Sequence, residues 1–446
     1  MLNKIFKAYD VRGTYPEQLN EKIAYNIGKA FATFLGCKEV IVGYDMRLSS
    51  PSLVKNFSQG VVDVGCNIID IGEVCTDASY FASGFLKNPS VMFTASHNPP
   101  EYNGLKFTKA GALPINEDTG LKDMKEIIES GKFKEAKTKG KIIKKEILKD
   151  YVNHVKTFAD VNSIKGLKIA VDAGNGMAGK IIPLIYEGID VEIVPMFFEL
   201  DGSFPNHLAD PSKFENLKDI QKKIKKEKCD FGMAFDGDAD RIFFVDENGG
   251  VIISSLLSCV IIKKLLSVKP KQNIIYNVVV GRIVPETVKE LGGKPILERV
   301  GHSFIKDTMR KTNSVFACEH SAHYYYRDNY NADSGMITSL IVSEIIAKSG
   351  KKISELIEEF KKYYSIEETN VSVEDKPAKM DEIEKLMKEQ GAKKISRLDG
   401  VSVEFDDWWF NVRPSNTEPL LRLNLESKSE KLMKEKKKEI VDIMKN

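Results

Sequence analysis

Short apolar runs alternate with amphipathic stretches along most of this chain. Glu39–Tyr44 and Asn67–Ile71 are predicted strands, and the stretch between them is a predicted helix that begins at Ser50-Pro51, since proline is favoured in the first turn of a helix. The same strand–turn–helix rhythm returns at Leu167–Asp172 and at Asn273–Val280. Strands that alternate with helices predict largely parallel sheets covered by helices.

The C-terminal part has a different pattern. Val401–Phe405 and Trp408–Val412 are a predicted β-hairpin, Leu420–Leu425 is a third strand, and Ser429–Met444 is a helix. Consecutive strands followed by a helix favour a small separate α+β domain. We therefore predict an α/β protein with three related α/β domains, whose mixed sheets are covered by helices, and a C-terminal α+β domain. The predicted domains are residues 1–145, 146–251, 252–366 and 367–446.

Composition and charge narrow the class of protein. The 446 residues are 42% hydrophobic and 9% aromatic, as in ordinary globular proteins. The net charge of +2 argues against a general nucleic-acid binder. The six cysteines form no C-x-x-C pair, which fits a reducing compartment. The N-terminus has no signal-peptide pattern, and no apolar run approaches the ~18 residues of a membrane span. We therefore expect a soluble, cytoplasmic protein.

A turn rich in Asn, Pro and Gly carries a serine that is a candidate for chemistry. Val91–Phe93 is a predicted buried strand, and it is followed by Ser96, His97 and the pair Pro99-Pro100. Because proline stiffens the backbone, the Ser96 hydroxyl is held on a rigid loop, with Lys106 on the next predicted strand. Such a serine could attack a carbonyl or carry a phosphoryl group. The absence of a Gly-x-Ser-x-Gly elbow argues against a serine hydrolase.

A second loop is rich in carboxylates. Asp236, Asp238 and Asp240 occupy alternate positions after a strand-like run and are followed by Arg241. Three converging carboxylates without His or Cys suit Mg²⁺ or Ca²⁺. An EF-hand is rejected, because Arg241 stands where that loop needs glycine and both flanks are β-like. A charged hairpin turn without a metal is the weaker alternative, since packed acids repel one another unless a cation offsets their charge.

Two further segments offer polar groups to a sugar or an anion. Arg413 precedes a run of Ser, Asn and Thr, which could form an anion cradle or a polar turn capped by its own side chains. Glu319, Ser321 and His323 follow the predicted strand Ser314–Ala317 and would point the same way if the chain stays extended. Carboxylate and hydroxyl groups there suit sugar hydroxyls, and a zinc site is disfavoured by the histidine spacing.

Together, these segments resemble the α-D-phosphohexomutase superfamily, and within it the phosphomannomutase/phosphoglucomutase branch. The matching segments, in the family's order, are Tyr9–Gly13, Thr94–Pro99, Asp236–Arg241, Gly301-His302, Glu319–His323 and Arg413–Pro419. They span almost the whole chain. The resemblance implies four domains around a central cleft, each of which supplies one loop.

The resemblance also implies a role for each matched residue. Ser96 would be the phosphorylated serine, and Asp236, Asp238 and Asp240 would hold Mg²⁺ together with an oxygen of phosphorylated Ser96. Lys106 is the candidate for moving the sugar hydroxyl proton, which requires a lowered pKa. The other expected catalytic groups are Arg12, His97 and Arg241. The expected substrate-binding residues are Tyr9, Arg282, His302, Glu319, Ser321, His323, Arg413, Ser415, Asn416 and Thr417.

The implied reaction interconverts hexose 6-phosphate and hexose 1-phosphate, for mannose and also for glucose. It would use a hexose 1,6-bisphosphate as intermediate and activator, with hexose phosphates as the only partners of a monomer or weak homodimer. The chain departs from family patterns at Cys318, where glycine is usual, and at Asn277–Val280, which lacks a lysine found in some relatives, so that phosphate contact would fall to Arg282. Phosphoglucosamine mutase, a metal-dependent sugar phosphatase and a non-enzymatic sugar-phosphate-binding protein stay open as alternatives.

Overall fold

The computed structural model describes residues 2–415 and 420–445 and divides the chain into two compact units. The N-terminal unit comprises Met1–Ile252, Met309–Lys311 and Ser321–Ser354. The C-terminal unit comprises Ile253–Thr308, Thr312–His320 and Glu355–Asn446.

The first sheet lies in the N-terminal unit. Its region contains α1 (Leu2–Ile5), β1 (Val11–Thr14), α2 (Glu21–Leu35), β2 (Glu39–Tyr44), α3 (Ser50–Asp63), β3 (Asn67–Glu73), α4 (Thr76–Leu86), β4 (Ser90–Phe93), β5 (Tyr102–Lys109), β6 (Leu113–Pro114), a π-helical turn (Glu117–Leu121), α5 (Lys122–Ser130) and β7 (Ile142–Lys144). The strand order is β1-β5-β4-β2-β3-β7, with β6 paired to β5. Because β2 is parallel to β4, the loops that follow these two strands leave the same edge of the sheet.

Aromatic residues fill the core between this sheet and its helices. The rings of Phe31 and Phe107 lie 5.1 Å apart, and those of Phe57 and Phe93 lie 5.4 Å apart. Helices α2 and α3 approach closely at Gly28, where an added Cβ would lie 2.2 Å from the Phe57 carbonyl oxygen. This packing fixes β4, the strand that leads into Ser96.

A second sheet of the N-terminal unit carries the acidic loop. Its region contains α6 (Leu148–Lys156), β8 (Lys165–Asp172), α7 (Ala178–Tyr186), β9 (Asp190–Met196), α8 (Lys218–Glu227), β10 (Phe231–Phe235), β11 (Ile242–Asp246) and β12 (Val251–Ile252), with 3₁₀ turns at Val161–Ser163 and Phe214–Leu217. The strand order is β12-β11-β10-β8-β9. Strand β10 is parallel to β8 and antiparallel to β11, so the sheet is mixed and the β10–β11 turn carries the three aspartates.

The next region contains α9 (Ser254–Val268), β13 (Asn273–Asn277), α10 (Ile283–Glu290), β14 (Lys294–Glu298), α11 (His302–Thr312), β15 (Phe316–Cys318), β16 (Tyr324–Tyr326), β17 (Ala332–Asp333), α12 (Gly335–Ser349) and α13 (Ile353–Glu358). In the C-terminal unit, β13 pairs in parallel with β14 and β15. In the N-terminal unit, β16 pairs antiparallel with β17.

The C-terminal part contains β18 (Tyr364–Ser365), β19 (Thr369–Ser372), α14 (Lys376–Glu389), β20 (Lys394–Ser396), β21 (Val401–Glu404), β22 (Trp408–Pro414), β23 (Leu420–Ser427) and α15 (Glu430–Lys445). Its sheet runs β18-β23-β22-β21-β20, with β19 also on β23, and the strands pair antiparallel. The predicted hairpin and α+β character are confirmed, as is the prediction of mixed sheets covered by helices.

Some predicted elements differ in detail. The strand predicted over Asn273–Val280 ends at Asn277, where the chain turns, and the strand predicted at Ser314–Ala317 is Phe316–Cys318. The domain boundaries and the central cleft stay predictions. No helix in the described part of the chain has both the length and the apolar character needed to cross a membrane.

Candidate active site

Ser96 lies on the loop between β4 and β5 in a strained backbone conformation. Its φ of 51° falls in the left-handed region, which non-glycine residues rarely adopt. The side chain is buried, and its Oγ donates a hydrogen bond to Asp236 Oδ2 over 2.6 Å. His97 Nδ1 lies 3.1 Å from the same oxygen. The loop therefore aims the serine hydroxyl at the acidic loop.

Arg47 organises the backbone of the Ser96 loop. It follows β2 and is 1% exposed. Its guanidinium donates four hydrogen bonds, to the carbonyl oxygens of Ser96 (2.8 Å), Asn98 (2.7 Å), Pro99 (2.8 Å) and Tyr102 (2.9 Å). The rigid fork of an arginine suits several acceptors at fixed positions, so Arg47 holds the loop in one conformation.

The three aspartates of the β10–β11 turn converge in a buried cluster. One carboxylate oxygen from each of Asp236, Asp238 and Asp240 lies within 4.8 Å of the others. The residue between the first two aspartates is glycine for a steric reason, since a Cβ on Gly237 would lie 2.5 Å from the Ser96 carbonyl oxygen. The acidic loop and the Ser96 loop are therefore in backbone contact.

Lys106 is the cation closest to this cluster. Its Nζ lies 2.7 Å from Asp238 Oδ2 and 2.6 Å from Asp240 Oδ2. Burial opposes the charge on Lys106, but the two aspartates outweigh it and raise the lysine pKa well above its usual value. The lowered pKa that a proton acceptor requires is therefore not found in this arrangement, and the proton-transfer role of Lys106 stays a prediction.

With all three carboxylates ionised, the negative charges of the cluster exceed the positive charges of Lys106 and Arg241. Burial, together with Asp238 and Asp240, raises the pKa of Asp236 well above its usual value. Burial also opposes ionisation of Asp240, but Lys106 outweighs it and lowers the Asp240 pKa. Asp238 Oδ1 is buried and accepts no hydrogen bond from any residue in the described ranges. A buried oxygen without a donor is costly unless a cation contacts it, and an all-carboxylate donor set fits Mg²⁺.

Of the other expected catalytic residues, Arg241 contacts the acidic cluster, whereas Arg12 and His97 contact the Ser96 loop or belong to it. Arg241 donates its backbone N–H to Asp236 Oδ1 over 3.2 Å, and its Nε lies 3.6 Å from Asp236 Oδ2. Arg12 donates to Asn98 Oδ1 and Asp10 Oδ2 over 2.6 and 2.5 Å. Burial, with the charges of Arg241 and Arg12, lowers the pKa of His97 well below its usual value.

The common direction expected of Glu319, Ser321 and His323 requires an extended chain, and the structure does not meet that condition. The chain turns at Ser321, and Ala322 has a left-handed φ of 62°. Ser321 Oγ lies 2.9 Å from His323 Nδ1, a hydrogen bond that stabilises the turn. His323 Nε2 lies 3.5 Å from Asp240 Oδ1, which brings this histidine to the acidic cluster of the N-terminal unit.

Glu319 belongs to a separate polar group in the C-terminal unit. Its Oε2 accepts hydrogen bonds from Asn277 Nδ2 over 2.9 Å and from the backbone N–H of Gly301 over 3.3 Å. Asn277 ends β13, Glu319 follows the parallel strand β15, and His302 begins α11. The carboxyl ends of these parallel strands and a helix N-terminus thus meet at Glu319.

Arg413 is part of a cluster of basic and amide groups around one carboxylate. Glu368 contacts Arg413 Nη2 (3.1 Å), Arg422 Nη1 (2.8 Å) and Asn424 Nδ2 (3.1 Å). Burial opposes the charge on Glu368, but the two arginines outweigh it and lower the glutamate pKa. Ser415 is buried, and its carbonyl oxygen accepts a hydrogen bond from Lys376 Nζ over 3.1 Å. The predicted binding residues Asn416 and Thr417 lie outside the described residues.

The remaining expected substrate-binding residues are Arg282 and Tyr9. Arg282 donates its backbone N–H to Glu426 Oε2 over 3.0 Å and its Nη2 to the Phe405 carbonyl oxygen over 3.2 Å, within the C-terminal unit. Tyr9 lies half-buried in the bend before β1. Their binding roles stay predictions.

Several residues of these clusters were missed in the sequence. Arg47, Glu368 and Lys376 are examples, as is Thr76, whose Oγ1 donates to Asp238 Oδ2 over 2.5 Å. One signal was available for Arg47. Like Ser96, it follows a predicted buried strand, and the loops of neighbouring parallel strands meet at one sheet edge.

Comparison with known proteins identifies the family. The models for phosphoglucomutase/phosphomannomutase alpha/beta/alpha domains I, II and III match residues 3–154, 149–250 and 255–363, and the model for the C-terminal domain matches residues 368–443. The chain is 37% identical to a phosphomannomutase of Vibrio cholerae, over 99% of this chain and 98% of that protein. It is also 37% identical to a phosphomannomutase/phosphoglucomutase of Pseudomonas aeruginosa, over 96% of this chain and 92% of that protein.

Solved structures agree. A phosphoglucomutase/phosphomannomutase family protein of Burkholderia thailandensis superposes with a TM-score of 0.91 at 31% identity, over 99% of this chain and 96% of that chain. An N-acetylglucosamine-phosphate mutase superposes with a TM-score of 0.61 at 13% identity, over 99% of this chain and 96% of that chain, which shows a shared fold alone. The chain therefore belongs to the phosphoglucomutase/phosphomannomutase family of enzymes and has its four-domain α/β architecture.

Proposed function

We propose that this protein reversibly interconverts hexose 6-phosphate and hexose 1-phosphate, with mannose and glucose as the sugars. A phosphoryl group would be carried on Ser96, and a hexose 1,6-bisphosphate would be the intermediate. The observation that carries the proposal is the position of Ser96 Oγ, 2.6 Å from Asp236 in a buried acidic cluster that contains a lysine. The names of the relatives support the same reaction class.

In the proposed transfer, an oxygen of the free sugar hydroxyl attacks the phosphorus and the bond from phosphorus to Ser96 Oγ breaks. Transfer of this kind depends on positioning and on stabilisation of the developing charge. Arg241 and Lys106 are cations within the acidic cluster that can supply part of that stabilisation. Mg²⁺ bound by Asp236, Asp238, Asp240 and phosphorylated Ser96 would neutralise charge on the transferring group.

Proton transfer needs a group with a free lone pair. The ammonium of Lys106 has none, and its contacts with Asp238 and Asp240 favour this charged form. A role as base therefore requires that these contacts loosen and that Lys106 first loses a proton. After the first transfer, the bisphosphate would turn over and return its other phosphoryl group to Ser96. Free hexose 1,6-bisphosphate would activate the enzyme by phosphorylating an unloaded Ser96.

Recognition of the sugar and of the phosphate that is not transferred is proposed to involve the C-terminal unit. Glu319 would offer a carboxylate to the 3- and 4-hydroxyls of the sugar, and Ser321 of the N-terminal unit is a further expected sugar-binding residue. Arg413, Ser415, Asn416 and Thr417 would bind the phosphate, with contributions from Tyr9, Arg282, His302 and His323 to substrate binding. Mannose and glucose differ only at carbon 2, so recognition through the 3- and 4-hydroxyls would accept both.

Turnover of mannose 1-phosphate, measured with and without a hexose 1,6-bisphosphate, tests the proposal. The wild-type protein should release mannose 6-phosphate without accumulating free phosphate, and Ser96→Ala should abolish turnover. Ser58→Ala removes a buried hydroxyl from α3 and is the matched control. Undiminished activity of Ser96→Ala would contradict the serine relay.

The competing activities give different results in the same assay. A sugar phosphatase would release free phosphate and would need no bisphosphate. A phosphoglucosamine mutase would prefer glucosamine 6-phosphate over the mannose and glucose phosphates. A protein that only binds sugar phosphates would show no turnover in any variant. A monomeric or weakly dimeric state remains part of the proposal.

A further inference from the structure

Two cysteine thiols lie together at the amino-terminal edge of the first sheet. Cys37 precedes β2 and Cys66 precedes β3, and these parallel strands pair from Glu39 and Asn67 onward. The two Sγ atoms are 3.7 Å apart. Continued from Glu39 and Asn67, this register places Cys66 opposite Lys38, one residue from Cys37. Because neighbouring strands lie about 4.7–4.9 Å apart, an offset of one residue keeps the two Cα atoms about 6 Å apart, within the range that a disulfide spans. Bond formation therefore requires rotation of the side chains and no separation of the strands.

The two thiols differ in exposure and in acidity. Cys37 is half-buried and Cys66 is buried. The hydrogen bond between them lowers the pKa of Cys37 and raises the pKa of Cys66. Burial acts against the lowering of the Cys37 pKa, whereas the positive charge of Lys134 lowers that pKa further. Lys134 is held near the end of α2 by a hydrogen bond from its backbone N–H to Thr33 Oγ1 over 3.0 Å. Because the thiolate is the nucleophile, Cys37 is the thiol suited to react first.

The remaining cysteines lack this combination. Cys75, Cys229, Cys259 and Cys318 are buried, and burial raises the pKa of each thiol. A buried thiol with a raised pKa is a poor first nucleophile near neutral pH. Cys66 shares this property, but it differs from the other four in its contact with Cys37. Among the described residues, Cys37 therefore combines partial exposure and a lowered pKa with a second thiol in contact.

We propose that Cys37 and Cys66 form a redox-active pair that hydroperoxides oxidise to a disulfide. The Cys37 thiol loses its proton, its thiolate attacks one oxygen of hydrogen peroxide, and the O–O bond breaks. The hydroxide that leaves takes up a proton, so that Cys37 sulfenic acid and one water form. The Cys66 thiol then attacks the sulfenic sulfur, the S–O bond breaks, and a second water leaves. The two thiols lose two hydrogen atoms, and one peroxide becomes two waters.

The position of the pair predicts what its oxidation changes. The pair lies at the amino ends of β2 and β3, whereas Ser96 follows the carboxyl end of β4, which is parallel to β2. A disulfide there closes a loop that contains α3 and restricts the unfolded chain. Oxidation should therefore raise the thermal midpoint of unfolding and leave turnover unchanged.

Intact-protein mass spectrometry of the folded full chain during titration with hydrogen peroxide tests the proposal. We expect a mass decrease of two hydrogens, loss of two of the six thiols, a peptide that links Cys37 to Cys66, and reversal by dithiothreitol. Cys37→Ser and Cys66→Ser should each abolish the cross-link. Cys229→Ser, which alters a buried cysteine before β10, should retain it and is the matched control.

Labelling with dimedone tests which of the two cysteines reacts first with the peroxide. Cys66→Ser should trap a sulfenic acid on Cys37 that reacts with dimedone, whereas Cys37→Ser should give no dimedone adduct on Cys66. In the wild-type protein, iodoacetamide should modify Cys37 before any other cysteine, which keeps the test valid if a variant fails to fold. Six intact thiols after peroxide treatment, or a disulfide between other cysteines, would overturn the proposal.

Discussion

The acidic cluster around Asp236 and the basic cluster around Glu368 have opposite charge, but in both of them residues of the opposite sign contact the charged groups. In the first, Lys106 contacts two aspartates over 2.7 and 2.6 Å; in the second, Glu368 contacts two arginines over 3.1 and 2.8 Å. The acidic cluster sets Lys106 and Arg241 against three aspartates, and the basic cluster sets one glutamate against two arginines, so each charge is offset only in part. Each therefore keeps an excess charge that a ligand of the opposite sign can neutralise.

The clusters differ in their exposure to water. The Asp236 and Asp238 side chains are 0% exposed, whereas the Glu368 side chain is 23% exposed. Water screens the excess charge of the basic cluster but not that of the acidic one. The acidic cluster should consequently depend more strongly on its counter-charge and on a bound cation.

Replacing Lys106 with methionine should have the largest effect on stability. It leaves three buried carboxylates without their ammonium, and breaking a buried pair from one side costs about 3–5 kcal/mol of the free energy of unfolding. Urea unfolding with EDTA should show this loss, and added Mg²⁺ should recover part of it by binding the folded state. Lys168→Met, which breaks a surface pair with Glu192, is the control and should show no Mg²⁺ dependence. A Lys106→Met protein as stable as wild type in EDTA would contradict the account.

Asp238→Asn removes one negative charge from the acidic cluster at nearly constant volume. We expect kcat/KM to fall roughly 10²-fold, about 2.7 kcal/mol, because an electrostatic contribution to the transfer step is lost. The Mg²⁺ concentration for half-maximal activity should rise as well. Asp219→Asn on the exposed part of α8 should change neither quantity. Unchanged Mg²⁺ dependence would remove Asp238 from the proposed metal site.

Glu368→Gln makes the matching change in the basic cluster. The loss should be only about 1–2 kcal/mol of the free energy of unfolding, since this carboxylate is partly solvated. Inorganic phosphate should stabilise the variant more than the wild type, because Arg413 and Arg422 lose their shared carboxylate. Glu384→Gln, which alters a surface pair with Arg397, is the control. Equal stabilisation of variant and wild type by phosphate would mean that Glu368 does not offset these arginines.

The ion pair between His207 and Asp172 contains no residue of either cluster and serves as a reference for the stability of both. His207 Nε2 lies 3.0 Å from Asp172 Oδ2. Burial opposes the imidazolium, but Asp172, with a smaller contribution from Asp219, outweighs it and raises the His207 pKa. The pair should therefore contribute about 1 kcal/mol or less, fully present below the unfolded-state pKa of ~6.5 and lost as the pH rises through the folded-state pKa.

The free energy of unfolding of wild type and His207→Gln, measured from pH 5 to 9, checks this sign. The wild-type advantage should shrink as the pH rises, with no dependence on Mg²⁺ or phosphate. An advantage that grows with pH would contradict the raised pKa.

The sequence was most informative where local pattern and chemistry coincide. Apolar runs located β2, β4 and β10, and the turns after them are marked by proline, glycine or repeated aspartate, so Ser96 and the aspartates could be found directly. Partners that are distant in sequence could not be found in this way. Arg47 acts through carbonyl oxygens about fifty residues away, and backbone acceptors leave no trace in residue identity.

The departure from an extended chain at Glu319–His323 has a physical cause. Alternation predicts a common direction only for extended backbone. Here the Ser321–His323 hydrogen bond and the left-handed Ala322 replace extension with a turn. Alanine gives no warning of a positive φ, whereas a glycine at that position would have suggested a turn.

Direct transfer from Ser96 tests the central claim most sharply. The protein is incubated with hexose 1,6-bisphosphate that carries ³²P at both phosphates, and small molecules are then removed. One portion is digested and analysed by mass spectrometry. A second portion is chased with unlabelled mannose 6-phosphate. The account predicts one phosphoryl group on Ser96, none on a Ser96→Ala control, and passage of the label to the sugar at a rate at least equal to turnover. A phosphoryl group elsewhere, or a label that stays on the protein during turnover, would contradict it.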